Sequence, residues 1–130
     1  MRSVGQFAKE QASAANIVIC RMFFRTRLRF HVEHILPRQH GGRTEMENLA
    51  WCCQRCNSHK GPNLTGVDPD TSIVVELFHP RRDRWEEHFL LSDLNVSGLT
   101  AKGRATSWLL EMNSEERLRW RSALRSHGLF

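Results

Sequence analysis

Bulky and basic residues alternate from Phe23 to Phe30 in "FFRTRLRF". That period of two predicts a strand with one wet, cationic face, continuing through Val32 and Ile35. Pro37 and the Gly41-Gly42 pair then break the chain into a loop. "NLAWC", Asn48 to Cys52, is the next strand. Gln54 to Lys60 make a short helix, stopped by Gly61 with Pro62 just beyond. The predicted order is strand, loop, strand, short helix.

Further along, "SIVVELF" (72–78) reads as a strand after the "DPDT" turn. Pro80 opens a short helix over "RRDRWEEHF", because proline in a first turn gives up an N–H that has no partner there. "FLLSDLNVSGL" predicts a hairpin turning at Asp93 to Asn95. Two helices follow. Thr100 caps the first, which carries Trp108, Leu109, Leu110 and Met112. Asn113, with Glu116 three residues on, forms an asparagine version of the capping box for the second, which carries Leu118 and Leu124. Trp85, Trp108 and Trp120 fall among helical apolar residues and are assigned to the core. Residues 1–16 are polar and alanine-rich, a frayed helix without visible chemistry. The fold class is α+β, with no internal repeat.

Composition narrows the partners. The chain has 130 residues, 40% apolar and 25% charged, which suits one soluble domain with a modest core. A net charge of +5 and a pI of about 9.6 favour acidic partners, nucleic acid foremost. No stretch approaches the roughly 20 apolar residues of a membrane span, so no membrane partner is expected. Ile17 to Cys20 is too short for a signal-peptide core, and a cytoplasmic chain is expected. Thiols stay reduced there, so the four cysteines, three of them in "CCQRC", read as metal ligands before disulfides.

The candidate chemistry lies in "HVEHILPRQHGGRTEMENLAWCCQRCNSHKG", His31 to Gly61. His34 can accept a proton near neutral pH, and Glu33 beside it can hold a divalent cation. Asn57, at the start of the short helix, adds an amide oxygen. One carboxylate and one amide with water suit Mg²⁺ or Mn²⁺ rather than Zn²⁺. Asn48, at the junction of loop and strand, can hydrogen-bond backbone groups across the loop and fix the approach of the His34 segment. Lys60 can touch a phosphate, an anion that the amides of the helix N-terminus also favour. Arg21, Arg25, Arg27, Arg29, Arg38 and Arg43 gather around this stretch against the single acid Glu33 and are read as DNA contacts. His40, His59, His79, His88 and His127 show no partner spacing and are read as structural or surface residues.

These residues resemble the HNH endonuclease family, whose motif runs acid-His, Gly-Gly, Asn-Leu, Cys-x-x-Cys-Asn-x-x-Lys-Gly. The resemblance implies a ββα-metal fold with a zinc-ribbon-like cysteine site and a C-terminal hairpin and helical extension. It makes Glu33 and Asn57 the catalytic metal ligands, His34 the general base and Asn48 the asparagine that orients the loop. The implied activity is hydrolysis of DNA to 5′-phosphate and 3′-hydroxyl ends. "LFHPRRDRWEEHF" and "GLTAKGRATSWLLEMN" are similar to the C-terminal part of short bacterial HNH proteins, so the likeness runs from about Cys20 to Phe130. The expected organisation is a divergent segment over 1–19, the nuclease motif over 20–66 and a support region over 67–130 of the same domain.

One position departs from the pattern. Family members with a pair like Cys53 and Cys56 supply a second Cys-x-x-Cys upstream, and four thiolates hold a structural Zn²⁺. Cys20 fits one upstream position, but the other falls on Ile17. Cys52 is a poor substitute in an extended segment, where it points away from Cys53. Either three sulfurs and another ligand hold the zinc, or the site is lost. Ile17 therefore leaves open a rival reading, a nucleic-acid-binding module that keeps the scaffold without cleavage. A purely structural cysteine-rich domain would leave the Glu33-His34 pair and Asn57 unexplained.

Overall fold

The computed structural model describes residues 30–128. Among the described residues, six short strands form three separate antiparallel pairs, β1 with β2, β3 with β4 and β5 with β6. The chain divides into two compact units. One holds the described residues up to Asn63 together with His79–Trp85; the other holds Leu64–Phe78 and the described residues from Glu86 onward. No described helix is long and apolar enough to cross a membrane.

In the first unit β1 (Phe30–His34) pairs with β2 (Leu49–Cys53), and α1 (Gln54–Lys60) follows directly. The register sets Glu33 opposite Ala50 and His34 opposite Leu49. Alternation then puts Glu33, Ala50 and Cys52 on one face and His34 on the other. The buried apolar side chains here are Ile35, Ala50, Cys52, Cys53 and Cys56. The described part of this core is thus small, and most of it is thiol. Cys53 caps α1, its Sγ accepting the Cys56 N–H at 3.4 Å. Gly61 closes the helix with a positive φ of 49°. The expected strand over 23–29 lies outside the described residues.

The second unit contains β3 (Thr65–Val67), β4 (Val74–Glu76), the hairpin of β5 (Phe89–Ser92) and β6 (Asn95–Gly98), and the helices α3 (Ala101–Leu109) and α4 (Glu115–Ser126). A single helical turn, α2 (Trp85–His88), precedes β5. The core of this unit is Leu77, Phe89, Val96, Ala105, Met112 and Leu124. Asp68 is fully buried and takes two 2.8 Å bonds from the Arg104 guanidinium of α3, plus the Asp70 N–H and the Thr71 hydroxyl. Those donors, Arg104 first, hold its carboxyl well below the usual carboxylate range. Gly98 and Gly103 let β6, the end of α2 and the start of α3 meet at backbone distance. A Cβ on Gly103 would sit 2.0 Å from the His88 carbonyl oxygen.

Several expectations need correction. The helix expected over 81–89 shrinks to α2. Asp83 Oδ2 takes the His79 N–H, while His79 Nδ1 takes the N–H groups of Arg81 and Arg82. With the Asp83 N–H on the His79 carbonyl, these bonds close a separate turn ahead of α2. The strand expected over 72–78 is only β4, and it pairs with the unexpected β3. The second strand of the motif starts at Leu49, because Asn48 ends a 3₁₀ turn over Met46–Asn48. Thr100 does cap α3, accepting the Gly103 N–H at 3.1 Å. The cap of α4 is Ser114, not Asn113; Ser114 Oγ accepts the Arg117 N–H. Trp108 is not core: it is 70% exposed.

Candidate active site

The loop between β1 and β2 is fastened from its far end. Asn48 Oδ1 accepts the Leu36 N–H at 2.8 Å, and its amide donates to the carbonyls of Leu36 at 3.0 Å and Arg43 at 2.8 Å. The Asn48 carbonyl takes the Ile35 N–H as well. Glycine is required inside this clasp, since a Cβ on Gly42 would lie 1.7 Å from the Leu36 oxygen. Gly41, at φ 87°, closes the 3₁₀ turn Arg38–His40. Two more bonds brace the arrangement: His40 Nε2 meets the Pro62 carbonyl at 3.1 Å, and Arg81 Nε donates to the Leu49 carbonyl at 3.0 Å.

The acid and the histidine diverge from neighbouring positions. Glu33 turns toward α1, where Lys60, Cys56 and the Cys52 thiol surround it. Burial pushes its carboxyl above the ordinary glutamate value, and the Lys60 charge and the Cys52 thiol only partly offset that. Cys52 is itself held protonated, by its bond to Cys56 and by burial. Lys60 donates to the Ile35 carbonyl at 3.2 Å, tying the end of α1 to the end of β1. His34, on the other face, meets the Thr44 hydroxyl through Nε2 at 2.9 Å. Its Nδ1 has no hydrogen-bond partner among the described residues.

Asn57 stands on α1 between Cys56 and Lys60, both close to Glu33. Its side-chain amide makes no hydrogen bond among the described residues, and none joins it to Glu33. Burial disfavours the Glu33 carboxylate, and a carboxylate and an amide oxygen are donors of the kind a hard cation takes. No three His, Cys, Asp or Glu side chains gather into a metal-binding group among the described residues. A hydrated cation on one carboxylate and one amide needs no such group.

Arg38 and Arg43 are exposed on the loop, and Arg43 lies 3.6 Å from Glu45 in a solvent-screened pair of little energetic weight. Arg21, Arg25, Arg27 and Arg29 lie outside the described residues, as do Cys20 and Ile17. Cys53 and Cys56 are therefore the described part of the expected zinc set. Sequence reasoning missed Thr44, and it missed Lys60 and Cys52 as neighbours of Glu33. Strand alternation could have found Cys52, since Glu33 and Cys52 share a face once β1 and β2 are paired.

The HNH endonuclease family model matches residues 18–66. The matched segment contains Cys20, Glu33, His34, Asn48, Cys53, Cys56, Asn57 and Lys60. No curated protein and no solved structure matches the chain.

Proposed function

We propose that the protein is a metal-dependent DNA endonuclease that hydrolyses phosphodiester bonds. The observation that supports this most is the divergence of Glu33 and His34 within the family segment. Glu33 turns toward α1, the helix that carries Asn57, while His34 is held across the loop with one ring nitrogen open. His34 takes the proton of the attacking water through that nitrogen. Glu33 and Asn57 would hold Mg²⁺ or Mn²⁺, whose charge would neutralise a phosphate oxygen and the departing alkoxide. Asn48 keeps the loop closed beneath the base. Arg38 and Arg43, with Arg25, Arg27 and Arg29 of the preceding segment, neutralise the DNA backbone; Lys60 adds its charge beside Glu33. The products carry 5′-phosphate and 3′-hydroxyl ends, as in the family.

The test is nicking of supercoiled plasmid with Mg²⁺ or Mn²⁺ against a chelator control. His34→Ala should cut about 10²–10⁴-fold more slowly while binding DNA nearly as well. A variant that cuts within a few-fold of the parent would remove His34 from the mechanism.

A further inference from the structure

The loop that Asn48 closes delivers Thr44 to the histidine. Asn48 Nδ2 holds the Arg43 carbonyl at 2.8 Å, and the next residue places its hydroxyl 2.9 Å from His34 Nε2. A threonine hydroxyl can either donate or accept, so the contact permits two ring tautomers. If the hydroxyl donates, the proton of the neutral ring sits on Nδ1, and no nitrogen is left to accept another. If it accepts, Nε2 carries the proton, and the lone pair of Nδ1 is open, with no partner among the described residues. Only the second tautomer can act as a base. We propose that Thr44 is the positioning residue of His34: its hydroxyl accepts the Nε2–H, fixes the ring, and leaves Nδ1 as the nitrogen that takes the proton from water.

This rests on the nuclease reading for its consequence, but the tautomer itself does not. Asn48 then acts on His34 at one remove, through the Arg43 carbonyl and Thr44. The role has no counterpart in composition or spacing, because it depends on the reversal at Gly41-Gly42 that brings residues ten positions apart into contact. Serine keeps the acceptor. Valine keeps the shape and removes it.

Long-range ¹H–¹⁵N spectra of the full chain, at a pH of about 8 where imidazoles are neutral, report the tautomer directly. His34→Gln assigns the signal among the seven histidines. The parent and Thr44→Ser should show the Nε2–H form, and Thr44→Val should relax toward a mixture. On supercoiled plasmid with Mg²⁺ or Mn²⁺, Thr44→Val should lower kcat about 10–100-fold, the loss expected when a bond that orients a ring is removed. KM and melting temperature should hardly change, and Thr44→Ser should restore most of the rate. A parent ring protonated on Nδ1 overturns the proposal, as does a Thr44→Val chain that cuts as fast as an active parent. A parent that cuts no DNA overturns the nuclease reading instead, and the ring tautomer still decides the role of Thr44.

Discussion

Asn48 pairs with the backbone of Leu36 as a neighbouring strand would, taking its N–H at 2.8 Å and donating to its carbonyl at 3.0 Å. One side chain thereby extends the β1–β2 ladder beyond the end of β1 and ahead of the start of β2. Asn113 makes the same pair of bonds with Val96 inside β6 of the second unit, both at 2.8 Å. In each case an asparagine side chain stands in for a peptide group, so the backbone donor and acceptor it meets stay satisfied.

Asn48→Ala should therefore act as a loop mutation with a catalytic readout. It removes three side-chain bonds and leaves a backbone N–H and two carbonyls to water, a loss of about 1–3 kcal/mol. Asn48→Asp should do no better, because it keeps the acceptor but turns a carboxylate against the carbonyls of Leu36 and Arg43. Thermal melts and plasmid nicking, run together, check this. Both variants should lose cleavage at temperatures where they remain folded.

Glu33 links pH to stability and, as the proposed cation ligand, would link it to metal binding. Burial raises its folded-state pKa, so the folded chain holds the proton more tightly than the unfolded one does. The resulting stability is fully present below the ordinary glutamate value of about 4.3 and is lost as pH rises through the folded value. At neutral pH the ionised carboxylate costs stability in the metal-free chain. With a chelator present, Glu33→Gln should melt above the parent at pH 7, and the gap should close as pH falls toward about 4. Saturating Mg²⁺ or Mn²⁺ should reverse the order, because only the parent gains from binding. Melting curves at several pH values, with and without cation, test both signs.

The segment from β1 to α1 was legible because its signals are local. Proline and paired glycines break the strand, asparagine follows the loop, and Gly61 ends the helix. Thr100 was legible as a cap for the same reason. What failed depended on tertiary partners. Asn113 and Ser114 are both good caps, but Asn113 is drawn to Val96, and the cap passes to Ser114. The strand Thr65–Val67 is short and centred on Gly66, whose missing Cβ matters only because Ala105 and Leu77 pack against it. His79 and Asp83 close a turn where propensity favours the start of a helix. Thr44 carries no signal until the loop has folded.

Acid should unfold the second unit through Asp68. Its carboxyl is depressed in the folded state, chiefly by Arg104. The stability this gives is present above the ordinary aspartate value, about 3.9, and is lost as pH falls toward the folded value. Asp68→Asn should lower the melting temperature at pH 7 and flatten the fall in stability below about pH 4. Circular dichroism across that range would show it; a variant with the parent's acid limb would place the transition elsewhere.

Gly103 sets two effects against each other. Alanine inside a helix is worth about 1 kcal/mol over glycine, yet here the new Cβ would meet the His88 oxygen at 2.0 Å and the Gly98 Cα at 3.3 Å. Forcing backbone apart costs more than the propensity returns. Gly103→Ala should lose about 1–3 kcal/mol net in a denaturant melt; a gain would mean that α3 shifts freely away from β6.

The cysteines carry the remaining test. Cys53 and Cys56 stand together at the head of α1, joined by the Cys56 N–H and Cys53 Sγ, as two ligands of one metal would be. Cys52 instead turns to Glu33 and Cys56. With Cys20 as the third thiolate and Ile17 in the fourth place, zinc should bind at less than one equivalent and yield readily to a chelator. Ile17→Cys should raise the content toward one per chain and raise the melting temperature, since a metal held only by the folded state stabilises it by mass action. Cys53→Ser and Cys56→Ser should abolish binding, and Cys52→Ser should leave it unchanged. Elemental analysis decides between these outcomes. A full, chelator-resistant equivalent in the parent would mean that another residue completes the tetrahedron. If Cys52→Ser then released the metal, Cys52 would be that ligand, and its place beside Glu33 would describe the metal-free chain alone.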